Sequence, residues 1–397
     1  MLAVVLACAL GWLGLATPGA HADVEDRPWY LETLRAEEIW QETRGEGVTV
    51  AVIDSGVDAS RPELAGRVLE GTDLTAGAQG AHVDIEGHGT TMAGLIAGSG
   101  AGNGVRGLAP GVSILPVRMM TDSETLTFGG DLAMAQGIEY AVEQGARVIN
   151  IAVTPGFAPG SSPEMDAAVA EAARQGVLIF AAVGNQGTVE DVSFAADRPG
   201  VVGVAATDED ARRLTYSNAG SRVMVAAPGS DIPVYCDWPD GELCPTAPGG
   251  TSAASALVSA SAALVWSAHP EWTKNQVLRA LLETAERPDG AERDDETGYG
   301  MVRPDRVILD GEGDPGEPDV SPLFADYEAG LDPPATPAPR PESPDAEPSG
   351  SPLPQAGTGE GDSGSWPWIG LLGLAIAGGL GTVVWAVRRR RRPGIRA

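Results

Sequence analysis

Lysine is almost missing from this 397-residue chain: Lys274 stands alone among 26 basic residues, the rest being arginine. That bias reads as GC-rich coding rather than chemistry. Basic residues are scarce altogether, 26 against 55 Asp and Glu, for a formal net charge of −29. Such a balance excludes nucleic acid and anionic membrane surfaces as electrostatic partners. Cysteine occurs only three times and histidine four times. Neither a histidine nor a third cysteine lies near Cys236 and Cys244, which excludes a zinc-type site there. Acidic clusters such as Asp208–Asp210 and Asp294–Glu296 leave structural calcium conceivable, but no motif supports it, so no metal and no cofactor are expected. No internal repeat is present. Hydrophobic content is ordinary for a globular protein, enough for a sizeable core.

What is there begins at the two ends. Leu2 to Ala16 is an apolar run, followed by the small-x-small site Ala20-His21-Ala22. It reads as a secretory signal, residues 1–22, with cleavage after Ala22. At the other end Trp366 to Val387 carries no charge, and as a helix it reaches about 33 Å, enough to span a bilayer core. Trp366, Trp368 and Trp385 lie near its borders, and Arg388 to Arg392 follow at once, which holds that flank in the cytoplasm. The expected protein is single-pass in the cell membrane, with residues 388–397 as a basic cytoplasmic tail and the body outside. An exported chain with two cysteines eight residues apart predicts one disulfide, Cys236–Cys244. Closing so small a loop stabilises by roughly 2–3 kcal/mol in the chain-entropy picture.

Between the ends, residues 23–310 alternate strand-like and helix-like runs. Val48–Ile53, Ser113–Arg118, Arg147–Ala152, Val177–Val183 and Val201–Ala206 read as strands; Thr90–Ala97, Asp131–Gln144, Pro163–Gln175 and Lys274–Ala285 read as helices. Alternation at this spacing predicts an α/β domain with a mostly parallel central sheet and helices on both faces. Residues 311–365 differ: Pro and acidic residues dominate, and Arg340 is the single base. Such a segment buries too little apolar surface to fold and reads as a disordered stalk reaching on the order of 40 Å.

Three separated strings carry chemistry. Asp54 closes the hydrophobic run of Val52-Ile-Asp-Ser-Gly-Val-Asp58, His88 sits in Gly87-His-Gly-Thr90, and Ser252 in Gly250-Thr-Ser-Ala-Ala254. In a parallel sheet, catalytic groups gather at the carboxyl ends of strands, where Asp54 falls. Asp58 is the alternative carboxylate, past the turn. His82 lies in a loop without flanking glycines, and His269 reads as a helix-entry residue. Ser252 opens the uncharged run to Ala263, at the positive end of a buried helix, where its own N–H can serve an oxyanion; Ser255, Ser259 and Ser261 lie deeper inside that helix. Ala181-Ala-Val-Gly-Asn-Gln-Gly187 offers Asn185 as a second oxyanion donor. The order Asp, His, Ser is one of three unrelated orders in which a serine triad occurs.

These strings resemble the subtilisin-like serine protease family over residues 30–310. Gly45 to Asp58 resembles its aspartate region, Gly104-Val-Arg-Gly-Leu-Ala-Pro110 its post-histidine loop and Gly298-Tyr-Gly-Met-Val302 its closing motif. The resemblance implies a subtilisin-like fold, an Asp54–His88–Ser252 triad, an oxyanion hole of Asn185 and Ser252, and substrate binding along Ala152, Val153, Thr154 and Gly184. Within the family, the Arg27-Pro-Trp-Tyr30 start, the acidic stalk and the terminal span resemble the mycosins, membrane-anchored proteases associated with type VII secretion in actinobacteria. Only 31 residues separate Ala22 from Asp54, so no long pro-domain is expected. The departures are Ala256 in place of the usual proline, Ala152-Val153-Thr154 in place of Ser-Leu-Gly, and Thr91 in place of a second histidine. The resemblance implies an endopeptidase acting on exported proteins or peptides, with a type VII secretion membrane complex as a possible partner. A structural component of such a complex, or a general degradative protease at the cell surface, are the alternative roles.

Overall fold

The computed structural model describes residues 28–120, 130–153, 162–236, 238–239, 243–247, 249–288, 290 and 292–331. The expected signal, the transmembrane segment 366–387, the cytoplasmic tail, Thr154 and most of the stalk lie outside the described residues.

Two short helices, α1 (Trp29–Thr33) and α2 (Ala36–Glu42), lead into strand β1 (Thr49–Asp54). The chain then forms β2 (Thr72–Asp73), α3 (His88–Ala97), β3 (Ser113–Arg118), α4 (Gly130–Glu143), β4 (Val148–Ile151), α5 (Pro163–Arg174), β5 (Leu178–Ala182), β6 (Val201–Thr207) and β7 (Val223–Pro228). A hairpin of β8 (Ile232–Tyr235) and β9 (Leu243–Ala247) precedes the long helix α6 (Gly250–Ala268), α7 (Lys274–Glu283), α8 (Pro304–Ile308) and α9 (Ala325–Ala329). The expected elements are present, with ends shifted by one or two residues.

Strands β1 to β7 form one seven-stranded sheet in the order β2-β3-β1-β4-β5-β6-β7, and every pairing within it is parallel. Successive side chains on a strand point to opposite faces. Val50, Val52, Val148, Leu178, Phe180, Val202 and Val204 therefore join α1, α2, α3, α6 and α7 in one core. Ala51, Ile53, Ile149, Ile151, Ile179 and Ala181 join α4 and α5 in the other. Burial on both faces is what the unbroken Val/Ile/Ala runs require. Helices α4 and α5 bury one stripe each, Met134, Ala135, Ile138 and Ala141 on the first and Met165, Ala168, Val169 and Ala172 on the second. Helix α6 is buried all round from Gly250 to Trp266, so its small residues let it lie close across the sheet. It is the one helix among the described residues long and apolar enough to cross a bilayer, and it is the central core helix of the domain.

The family-like loops have structural work. Gly107, Leu108 and Ala109 donate their N–H groups to the carbonyls of Gly98, Leu95 and Ile96, so the post-histidine loop closes the carboxyl end of α3. The closing motif runs beside β7, with Ala226 N donating to Gly300 O and Val302 N to Ala226 O. Tyr30 is fully buried, its hydroxyl donates to Arg106 O, and burial raises its pKa.

The expected domain boundary at 310 needs correction. Residues 311–331 are folded onto the domain rather than starting a free stalk. Arg279 donates to the carbonyls of Pro315, Glu317 and Val320, and Thr273 and Asn275 both donate to Pro318 O. Phe324 is buried and Tyr327 packs against the core. Pro and acidic content hid this strap, because most of its backbone is held by side chains on and just before α7, and only Ala325–Ala329 is helical.

Candidate active site

The order of strands reverses around β1, with β3 on one side and β4 on the other, and a crevice at the carboxyl ends is expected at such a point. Asp54 is the last residue of β1 and is fully buried. His88 is the first residue of α3. His88 Nδ1 lies 2.8 Å from Asp54 Oδ1. That oxygen also accepts from Ser55 N at 2.7 Å, while Oδ2 is buried without a partner among the described residues.

The glycines around His88 are steric necessities. A Cβ on Gly89 would sit 2.1 Å from Gly56 O and 3.0 Å from Asp54 Cβ, so α3 could not approach β1. Gly87 has φ of 80°, and a Cβ there would strike the Trp238 ring at 2.5 Å. Burial opposes a charge on His88, but the carboxylates of Asp54, Asp84 and Glu86 outweigh it and push its pKa up to about 9. Once neutral, an imidazole so held takes up a proton readily and keeps the resulting charge.

Ser252 stands in the first turn of α6 and is 8% exposed. Its hydroxyl donates to Ala152 O at 2.9 Å, just past the end of β4. Among the described residues it shares no hydrogen bond with His88. The rival serines are structural: Ser255 and Ser259 donate to Asn150 Oδ1 at 2.8 and 3.3 Å, and Ser261 to Leu257 O. The two bonds to Asn150 staple α6 to β4 and so hold Ser252 over Ala152. The other rivals are also occupied elsewhere. Asp58 caps a turn at Ser60, exposed His82 reaches Leu69 O, and His269 ends α6, stacked on Trp272 at 3.9 Å, rather than opening α7.

Asn185 follows β5 and is exposed. Its Oδ1 accepts from Thr251 N at 2.9 Å and Thr251 Oγ1 at 3.1 Å. With the oxygen tied down, the amide Nδ2 is the end left to donate. Gly184 is buried with φ of 110°, and a Cβ there would lie 2.6 Å from Asn218 Nδ2. Buried Asn218 holds this loop, donating to Val183 O, Asp191 O and Gln186 Oε1 and accepting from Gln186 N and Thr188 N. Ala152 and Val153 lie buried at the end of β4. Cys236 and Cys244 form a disulfide, Cα atoms 5.6 Å apart, across the β8–β9 hairpin. Among the described residues no group of three potential metal ligands clusters.

Sequence reasoning missed Asp84, Asn218, Thr251 and Trp238. Asp84 had a legible signal, an acidic residue shortly before a glycine-opened helix, as a capping group would be placed. Nothing in the sequence pairs Trp238 with Gly87, some 150 positions away.

The subtilase family, Peptidase_S8, matches residues 45–300. Subtilisin DY of Bacillus licheniformis is 32% identical over 262 residues, covering 65% of this chain and 91% of its own. An intracellular serine protease of Paenibacillus polymyxa is 33% identical over 249 residues, covering 61% and 73%. Among solved structures, MycP1 from the ESX-1 type VII secretion system superposes with a TM-score of 0.64 at 28% identity, covering 75% of this chain and 88% of its own. MycP3 protease from the type VII (ESX-3) secretion system gives 0.61 at 29%, covering 71% and 88%.

Proposed function

This chain belongs to the subtilase family and is a subtilisin-type serine endopeptidase, and we propose that its chemistry runs through Asp54, His88 and Ser252. Ser252 Oγ leaves Ala152 O, turns toward His88 and attacks the scissile carbonyl while His88 Nε2 takes its proton. Asp54 holds the Nδ1–H tautomer and stabilises the imidazolium. The oxyanion forms between the Ser252 N–H and Asn185 Nδ2. His88 then protonates the leaving amine, and water hydrolyses the acyl-enzyme. Ala152, Val153, Thr154 and Gly184 are the proposed binding residues for the substrate chain. The observation that carries this reading is the 2.8 Å bond from His88 to a fully buried Asp54. A fluorophosphonate probe is expected to label the protein at Ser252 and to leave Ser252→Ala unlabelled. Equal labelling of both would sink the assignment.

The proposed setting is the outer face of a cell membrane, next to a type VII secretion complex, with exported proteins as substrates. Its support is the likeness to MycP1 and MycP3, together with the apolar segment 366–387 and the arginines after it. Membrane fractionation with protease shaving of intact cells checks the topology: the domain is digested and the tail is spared. Comparing a deletion strain with Ser252→Ala separates catalysis from scaffolding. Equal export defects favour proteolysis, and a defect confined to the deletion favours a structural role.

A further inference from the structure

A second carboxylate stands behind the Asp54–His88 pair. Asp84 is 8% exposed. Its Oδ1 accepts from Ser55 Oγ at 2.9 Å, Gly87 N at 2.8 Å and Glu86 N at 3.1 Å. Its Oδ2 accepts from Thr90 N at 2.9 Å and Thr90 Oγ1 at 2.6 Å. Among the described residues it has no cationic partner within ion-pair distance. A buried carboxylate without a counter-charge is costly unless donors replace its water shell, and here they do.

The donors say what the residue does. Gly87 and Thr90 supply amides from the first turn of α3, where N–H groups lack helical partners. Gly87 itself has no side chain to cap them, and Asp84 does so from three residues upstream. Ser55 is the second strut. Its Oγ donates to Asp84, accepts from Gly89 N at 3.0 Å, and lies 3.2 Å from Asp54 Oδ1. One carboxylate thus ties the backbone on both sides of His88 to the residue that follows Asp54. Trp238 covers it, with Nε1 donating to Asp84 O at 2.8 Å and its ring against Gly87.

We propose that Asp84 is a positioning residue for the reaction, which sets α3 so that His88 meets Asp54 and adds an uncompensated negative charge that favours the imidazolium formed on proton transfer. On the plateau above the His88 pKa, where the resting imidazole is neutral, stabilising the charge formed on proton transfer lowers the barrier more than it aids substrate binding. The charged groups acting on His88 are Asp54 from β1 and Asp84 and Glu86 from the preceding loop. Helix α6 contributes none, since Gly250 to Ala268 holds no titratable side chain, and Trp238 brings no charge.

The proposal rests on His88 being the general base, so variants are compared only where fluorophosphonate labelling of Ser252 persists. Loss of label at Ser252 in the parent protein would fail that prior reading, not this one. Asp84→Asn is expected to lower kcat at least tenfold with KM little changed, and to move the acid limb of kcat/KM down by about half to one pH unit. Asp84→Glu keeps the charge but misplaces the cap, and is expected to lose kcat while holding the limb. Ser55→Ala likewise leaves the limb in place. An Asp84→Asn enzyme that melts lower but keeps both kcat and the limb would overturn the proposal, and so would an Asp84→Glu limb that falls with that of Asp84→Asn. Where Asp84→Asn does not fold, a limb held by both other variants supports the proposal and a fallen limb in Asp84→Glu refutes it.

Discussion

The two ends of the parallel sheet are built to different rules. At the carboxyl ends of β1, β4 and β5, polar side chains are buried and tied to backbone: Asp54, Asp84, Ser252 and Asn218. Glycines there permit close approach, as at Gly89 against Asp54. At the amino ends, the strap of residues 311–331 passes beneath the starts of the strands. Tyr327 lies where a Cβ on Gly200, next to β6, would meet it at 2.9 Å, and Pro318, Asp319 and Glu328 flank Arg147 and Val177 at the starts of β4 and β5 in a depression of about 620 Å³. The lone lysine, Lys274, is buried there and pairs with Glu328. At one end the buried polar groups fix the candidate site residues; at the other they close the fold. Leu331 lies beside Ala173 and Arg174 at the end of α5.

Substitutions should respect that division. The largest effect belongs to Ser252→Ala, with kcat/KM down about 10⁶-fold, a magnitude taken from loss of the nucleophile in a related subtilisin; steady-state peptide hydrolysis checks it, with melting temperature unchanged. Asn185→Ala should cost about 10²–10³ in kcat with KM nearly constant, by analogy with the corresponding donor in a related enzyme. A comparable rise in KM would assign Asn185 to substrate binding instead. Third is the pH profile. His88 must be neutral to accept the serine proton, so kcat/KM should climb about tenfold per pH unit below its pKa and level off near 9. The same shift has a stability side: a histidine raised from 6.5 to about 9 stabilises the fold fully below 6.5, and the contribution fades as pH rises through 9. Smallest is the amino end. Glu328→Ala leaves Lys274 buried and unpaired, at a cost of about 1–2 kcal/mol for a partly exposed pair. Denaturant unfolding reads that loss, and kcat should stay within twofold. A large kcat change from Glu328→Ala would break the separation of the two ends.

Much of the site was legible because its chemistry demands unusual residue patterns. His88 needed glycine on both sides, since α3 meets β1 through Gly89 and the hairpin through Gly87. Asp54 closes a strand that had to be hydrophobic to be buried on both faces. Ser252 opens a helix whose small residues had to be uncharged to cross the sheet. The strap was misread for the converse reason. Its sequence carries no periodicity, and its hold on the domain comes from Arg279, Thr273 and Asn275, which look like ordinary surface residues on α7. Asp84 was passed over because a lone aspartate in a loop has many cheap explanations, and the donor that ties it to the Asp54 strand, Ser55, lies 29 residues away.

The sequence by itself determined the family, the parallel α/β fold and which Asp, His and Ser are the candidates, because burial and steric closeness leave local marks on composition. Only the tertiary structure decided that Asp54 rather than Asp58 meets His88, that Ser252 rests on Ala152 O, that Thr251 orients Asn185, and that residues 311–331 belong to the domain. Those outcomes depend on hydrogen bonds between residues far apart in the chain, and a hydrogen bond constrains geometry without constraining the sequence around it.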